Sequence, residues 1–291
     1  MKRILVPVDF TPSSINAVKY ATEMATALNM KVTLLHVLEL YQYTAWVQET
    51  EIITPVFPIN DIPKMEEVAI EKLSLLVEEQ KKTNDDLSID YVLLKGSFVF
   101  ELIAQTAQND TEFIVLSSFN NHDFLGNTKS NMRVLYYEST CPIVIVPQNS
   151  HYVPIKNVLY ATSLNSNDLS VLQDLTETLA PFSPNIKIVH ILSHKPEFDD
   201  QLKFLGFQKL IENVLKYKKL KYNLIINKEI ENAIKMNTEQ DQDDLVVLIK
   251  ENKRLLQSIF EHSHTQKLTR ILQVPIILYS ERIIQNIKAK N

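Results

Sequence analysis

An aspartate closes the first apolar run of this chain. Asp9 follows ILVPV at residues 4–8 and precedes Thr11-Pro12, a residue pair that starts helices. A carboxylate there can hold the ribose of a ligand beyond the strand, or it can stabilise the helix N-terminus through the dipole. His36 and His190 recur in matching contexts, LLHVL and KIVHIL. They suggest a paired functional role, against the alternative of a buried ring with one hydrogen bond. Ser117 and Ser118 end another apolar run, but no G-x-S-x-G surrounds them, so a nucleophile elbow is not supported. Cys141 precedes Pro142 at the start of a strand expected to be buried, and reads as a small packed hydrophobe. His262 and His264 would point apart on a helix, and no Cys or carboxylate joins them at metal-ligand spacing. Lys250, Lys253 and Arg254 could receive an anion or form a solvated charged segment. Tyr41, Tyr43 and Trp46 could cap a ligand or a partner, or pack on their own domain. No H-E-x-x-H, C-x-x-C or G-x-x-x-x-G-K-[ST] occurs.

The elements that must position these residues come in two sets. Lys2 to Leu38 aligns without a gap on Lys156 to Leu192, at a constant offset of 154 residues. KRILVPVDF answers KNVLYATSL, and KVTLLHVL answers NIKIVHIL. Ile15, Val18, Ala21, Ala25 and Leu28 fall on Leu169, Leu172, Leu175, Leu179 and Phe182. A buried face kept in register over that distance reads as one fold unit, duplicated. In the first unit, strands are predicted at 3–8, 32–38, 88–95, 112–116 and 142–146. Helices are expected after Thr11 to Leu28, along Met65, Val68, Ala69, Leu73 and Leu76, from Ser97 to about Asn109, and up to Ser139. Residues 39–60 hold no period and read as a loop or lid with exposed aromatics, Phe57 among them. HYVP at 151–154 is the linker. The second unit repeats the strands near 157–162, 185–192, 221–226, 244–249 and 275–279. It is about 21 residues shorter between its second and fourth strands, where the 39–60 segment has no counterpart. Residues 281–291 read as a frayed basic helical tail.

Alternating strands and helices with solid apolar runs (FIVL, IVIV, LVVL) mean parallel sheets covered on both faces. The fold class is therefore α/β, two domains (1–150 and 151–291), each a five-stranded parallel sheet flanked by helices. Any ligand site belongs beyond the carboxyl ends of the strands, where Asp9, Val37, Ser117 and Ser118 stand.

Net charge of −5 and 45% apolar residues describe an ordinary globular chain without a basic field for nucleic acid or an anionic membrane. No run approaches the roughly 20 apolar residues of a membrane span. The N-terminus is too short for a secretory apolar region, and one cysteine makes no internal disulfide. These point to the cytoplasm. Only three glycines (Gly96, Gly126, Gly206) occur, against phosphate-cradling loops that need close backbone approach.

The order and spacing of ILVPVDFTPSSINAVKYA, LLHV, LLKGSFVFELIAQTA, FIVLSS and SNMRVLYYESTCPIVIVP resemble the universal stress protein family. The resemblance covers the first unit and, more weakly, the second. It implies the Rossmann-like, adenine nucleotide alpha hydrolase-like fold, usually dimeric, with tandem members pairing their halves within one chain. It implies ATP or AMP as ligand of the first unit. Asp9 matches the aspartate that helps hold the nucleoside, beside Pro7, and Val37 the residue whose backbone meets adenine. The family's G-x2-G-x9-G-[ST] lands on Ser117, Asn120, Ser130 and Asn131, so all three glycines are absent. In the second unit Ser163 stands in place of Asp9, and IKENKRLLQSIFEHSH contains no glycine.

The expected function is a non-catalytic regulatory or protective binding module. Its nucleotide loop is degenerate in the first domain and absent in the second. The rivals are an adenine-nucleotide-binding protein or weak ATPase using the first cleft, and a small-molecule sensor lidded by residues 39–60. The two sheets are expected to pack about a pseudo-twofold axis through the fifth strands, PIVIV and PIILY, with a further homodimer open to the remaining faces. A single continuous sheet across both halves would count against two copies lying side by side.

Overall fold

Strand β1 (Arg3–Pro7) is buried along its whole length, as a central parallel strand covered on both faces must be. The structure, a computed structural model, describes residues 1–39, 44–46, 53–55, 62–108, 110–118, 134–249 and 272–290. Helix α1 (Pro12–Leu28) begins where the sequence places it. Thr11 is the N-cap and accepts the Ser14 N–H, Pro12 opens the first turn, and Asn29 closes the helix in the left-handed conformation at φ 53°.

There follow β2 (Lys31–Leu38), a hairpin of β3 (Thr44–Trp46) and β4 (Ile53–Pro55), α2 (Ile62–Thr83), β5 (Ile89–Lys95), α3 (Phe98–Thr106), β6 (Thr111–Ser117), a helical turn α4 over 134–138, and β7 (Ile143–Val146). The second half runs β8 (Asn157–Thr162), α5 (Asp168–Thr178), β9 (Asn185–Leu192), α6 (Phe198–Val214), β10 (Leu220–Ile226), α7 (Ile230–Asp241), β11 (Leu245–Ile249), β12 (Ile276–Tyr279) and the C-terminal helix α8 (Glu281–Lys290).

The main sheet has ten strands in the order β10-β9-β8-β11-β12-β7-β6-β1-β2-β5. Each half contributes its strands in the same spatial order, third-second-first-fourth-fifth, all parallel within the half. Within this sheet the one antiparallel pair, β7–β12, joins the halves, with Ile276 opposite Ile145, Ile277 opposite Val144 and Leu278 opposite Ile143. This corrects the expectation of two separate packed sheets. The fifth strands do meet, but edge to edge, so their backbone groups complete one ladder instead of leaving two edges to cover. The identical strand order on either side keeps the repeat visible in a continuous sheet.

Two helix layers sandwich the sheet. Side chains of α1, α2, α5, α6 and α8 pack on one face, and those of α3, α4 and α7 on the other.

Three further expectations change. Residues 39–60 contain an antiparallel hairpin, with Thr44 opposite Pro55 and Trp46 opposite Ile53, instead of irregular loop throughout. Tyr41, Tyr43 and Phe57 lie outside the described residues. On α2, Ala69, Leu73 and Leu76 are buried, but Val68 is 48% exposed. The tail is no frayed end. Ile283, Ile284 and Ile287 are buried in the α1/α5 layer, each contributing roughly 1.5–3 kcal/mol. The shortening of the second half falls where the sequence puts it, since β9 reaches α6 through residues 193–197 alone.

Candidate functional site

The carboxyl ends of β1, β2 and β6 gather the residues of the first half. Pro7 ends β1, and Ser117 ends β6 half-buried. Val37 sits in β2 with its side chain buried in the α3 layer. Asn120, Ser130 and Asn131 lie outside the described residues, as do Lys250, Lys253, Arg254, His262 and His264.

Asp9 serves the helix start. Its Oδ1 accepts the Thr11 N–H at 3.0 Å and the Thr11 hydroxyl at 2.6 Å. This is the local, dipole-assisted arrangement that the sequence offered as one of its two uses.

His36 turns the other way from Val37. Its Nδ1 lies 2.7 Å from the Val8 carbonyl oxygen. Burial lowers its pKa below the usual 6.5, the Val8 bond and Asp9 oppose that, and Lys72 adds to it. Phe10, with a left-handed φ of 64°, lays its ring 4.8 Å from the imidazole. Lys72 of α2 covers the Phe10 ring at 5.2 Å. Imidazole, ring and ammonium thus stack between β2 and α2.

The second half reproduces this frame with different contents. His190 Nδ1 lies 2.9 Å from the Thr162 carbonyl oxygen, the counterpart of the His36–Val8 contact. Leu164, the counterpart of Phe10, holds φ 61°. Ser163 replaces Asp9 and is exposed. A carboxylate nevertheless returns, from a residue the motif search missed. Asp168, wholly buried in the first turn of α5, accepts the Tyr160 hydroxyl at 2.8 Å, the Thr162 hydroxyl at 2.8 Å and the Asn165 N–H at 2.7 Å. The signal was present: Tyr160 and Thr162, two apart, put two hydroxyls on one strand face, and an aspartate in the next helix turn can reach them. These donors satisfy oxygens that burial alone would leave without partners.

Among the described residues no group of three or more His, Cys, Asp or Glu could hold a metal. Cys141 is 3% exposed within the α3/α4 core, the packed position expected of it. Ser118 Oγ accepts the Gln148 N–H at 3.1 Å, which ties the end of β6 to the residues after β7. Of the residues that the family resemblance assigns to a nucleotide, Pro7, Asp9, Val37 and Ser117 are described and stand at or near the ends of β1, β2 and β6.

Comparison with known proteins agrees with this architecture. The model of the universal stress protein family matches residues 1–147. A universal stress protein from Archaeoglobus fulgidus DSM 4304 superposes with a TM-score of 0.67 at 14% identity, over 96% of this chain and 96% of its own. The cytoplasmic domain of a prokaryotic cation chloride cotransporter superposes with a TM-score of 0.58 at 10% identity, over 100% of this chain and 99% of its own. At such identities the likeness is one of fold. No curated protein matches the chain.

Proposed function

The chain belongs to the universal stress protein family, and from that premise we propose that it is a tandem member, with domains at 1–150 and 151–291. Its halves form an intramolecular pseudo-dimer that acts as a non-catalytic regulatory or protective binding module in the cytoplasm. The observation that carries this reading is the β7–β12 ladder. It joins two five-stranded parallel sets of the same strand order, an arrangement that two separate chains would otherwise have to assemble.

The strand-end residues support the non-catalytic part. Asp9 is engaged by Thr11. Phe10 and Lys72 fill the space beside His36. Asp168 is buried under three hydrogen bonds. Each of these groups is held by contacts within its own half. Side chains at the three former glycine positions would also obstruct close backbone approach to phosphate.

Mass spectrometry of the denatured, freshly purified protein tests the reading, together with thermal shift on adding ATP and magnesium. The expected result is no released nucleotide and no shift. Stoichiometric AMP or ATP, or ATP hydrolysis above background, would replace this reading with nucleotide binding in the first domain. A triple variant, Ser117→Gly, Asn120→Gly and Ser130→Gly, separates the causes. It should gain measurable ATP affinity by calorimetry if the loop alone blocks binding, and none if the cleft is itself closed.

A further inference from the structure

The second half has a cleft on the side where, in the first half, Phe10 stacks between His36 and Lys72. This cleft of about 510 Å³ lies between the loop after β8, strand β9 and helix α6. It faces the α6 layer, whereas Ile191, the counterpart of Val37, packs toward the opposite one. The cleft thus opens on the face opposite the Ile191 side chain, and shares with the nucleoside position that the family resemblance assigns only Ser163, the counterpart of Asp9.

The difference between the halves has a residue-level cause. Aligning the buried pair Leu73 and Val77 of α2 with Phe207 and Ile211 of α6 places Lys72 on Gly206. Where the first half has Phe10 under Lys72, the second has the smaller Leu164 and a glycine. A Cβ at Gly206 would meet nothing within 4 Å. The strand-end backbone is otherwise alike, with φ 64° at Phe10 and 61° at Leu164.

The lining sets the ligand's chemistry. His190 directs Nδ1 to the Thr162 carbonyl, so in the neutral ring that nitrogen carries the hydrogen and Nε2 is an acceptor. Lys203 supplies a cation and the Ser163 hydroxyl a donor, while the Ser166 hydroxyl donates to Asn165 Oδ1 at 3.2 Å. Leu164, Phe207 and Leu210 give an apolar wall. Asp200 also lines the cleft, its Oδ2 accepting the Glu197 N–H at 3.0 Å. Its charge disfavours a second negative group on the ligand.

We propose that this cleft binds a small organic anion bearing one anionic group and a hydroxyl, the anion on Lys203 and the hydroxyl donating to His190 Nε2. The proposal goes beyond the pseudo-dimer reading and does not depend on it.

Calorimetric titration of the full chain with glycerate and with glycerol 3-phosphate tests it. Binding of glycerate or glycerol 3-phosphate is expected, and the tighter of the two identifies the anion as carboxylate or phosphate. Lys203→Met should weaken that binding about tenfold, the loss of one charge-assisted hydrogen bond. His190→Asn keeps a donor for Thr162 but removes the Nε2 acceptor, and should weaken it similarly. The double variant Leu164→Phe, Gly206→Lys rebuilds the first half's filling and should abolish binding. Its thermal midpoint should not fall, since Phe10 already tolerates that backbone and the Gly206 site has room. Gly206→Lys alone serves as the second variant if the double one misfolds. Failure of both glycerate and glycerol 3-phosphate to bind, or undiminished binding by the filled variants, overturns the proposal.

Discussion

Tyr279, wholly buried in β12, donates its hydroxyl to Asp174 Oδ2 at 2.9 Å. Burial lifts the Asp174 pKa from 3.8 to about 6. The Tyr279 bond works against that rise, and Glu112 of the first half adds to it. The folded protein therefore holds a proton that the unfolded chain has released. The stability from this group is complete below the unfolded value of 3.8 and is lost as pH rises through about 6. Asp174→Asn removes the titration and keeps an acceptor for Tyr279. Urea unfolding across pH should find the variant about 2 kcal/mol more stable than the parent above neutrality and equal to it in acid. An unchanged pH slope would show that Asp174 ionises freely. His36 has the opposite sign. Its lowered pKa gives stability present above 6.5 and lost as pH falls through the folded value. Both histidine contacts were legible from matching strand positions, because a parallel strand fixes which carbonyl the ring can reach. Asp168 was missed although Tyr160 and Thr162 share a strand face, because donors three, six and eight residues away form no named motif.

At the scale of elements, the two described glycines should respond oppositely to one substitution. Gly96 turns the chain from β5 into α3 at φ 149°, and an added Cβ would lie 2.7 Å from Glu101 Oε1. Gly96→Ala should cost about 1–3 kcal/mol in chemical denaturation, from backbone strain and the displaced carboxylate. Gly206→Ala lies inside α6 with open space around it, and should stabilise by up to about 1 kcal/mol through helix propensity. Equal effects would mean that the Gly96 turn relaxes easily. Helix α8 gives a third case. Ile284 is 1% exposed, so Ile284→Ala should cost about 2–4 kcal/mol, where a frayed tail would lose almost nothing. The sequence contained the apolar spacing of Ile283, Ile284 and Ile287, but Lys288 and Lys290 beside it favoured a solvated reading. Local periodicity states that a helix has an apolar face. Only the α5 surface it meets shows that the face is covered. The strands suffered less from this limit, because a fully apolar run has no solvated alternative.

For the whole molecule, the sequence repeat announced two like units and named the fifth strands as their contact, but it could not give the geometry of that contact. Edge pairing and face packing of two sheets bury the same apolar residues, and the choice depends on backbone ladders between residues more than 130 positions apart. Once made, that choice ties the halves by more than the ladder. Tyr136 donates its hydroxyl to the Tyr279 carbonyl at 3.0 Å. The Asn286 amide donates to the Thr140 carbonyl at 2.8 Å, and Arg282 pairs with Glu138. From the other side, Thr178 donates to Glu112 at 3.0 Å. The linker itself takes part, with Tyr152 edge-on to Tyr20 at 5.4 Å. The covalent connection is thus one of several bonds between the halves, and association should survive its loss. A protease site inserted between Val153 and Pro154, both exposed, allows the folded chain to be cut there. After cleavage the two fragments should elute together in size-exclusion chromatography with the mass of the uncut chain. Arg282→Ala should leave that result unchanged, because an exposed ion pair contributes little. Val144→Pro, which removes a ladder donor at the centre of β7, should release the fragments from each other. Separation of the cut wild-type halves would show that the connecting peptide, and not the shared sheet, holds the molecule together.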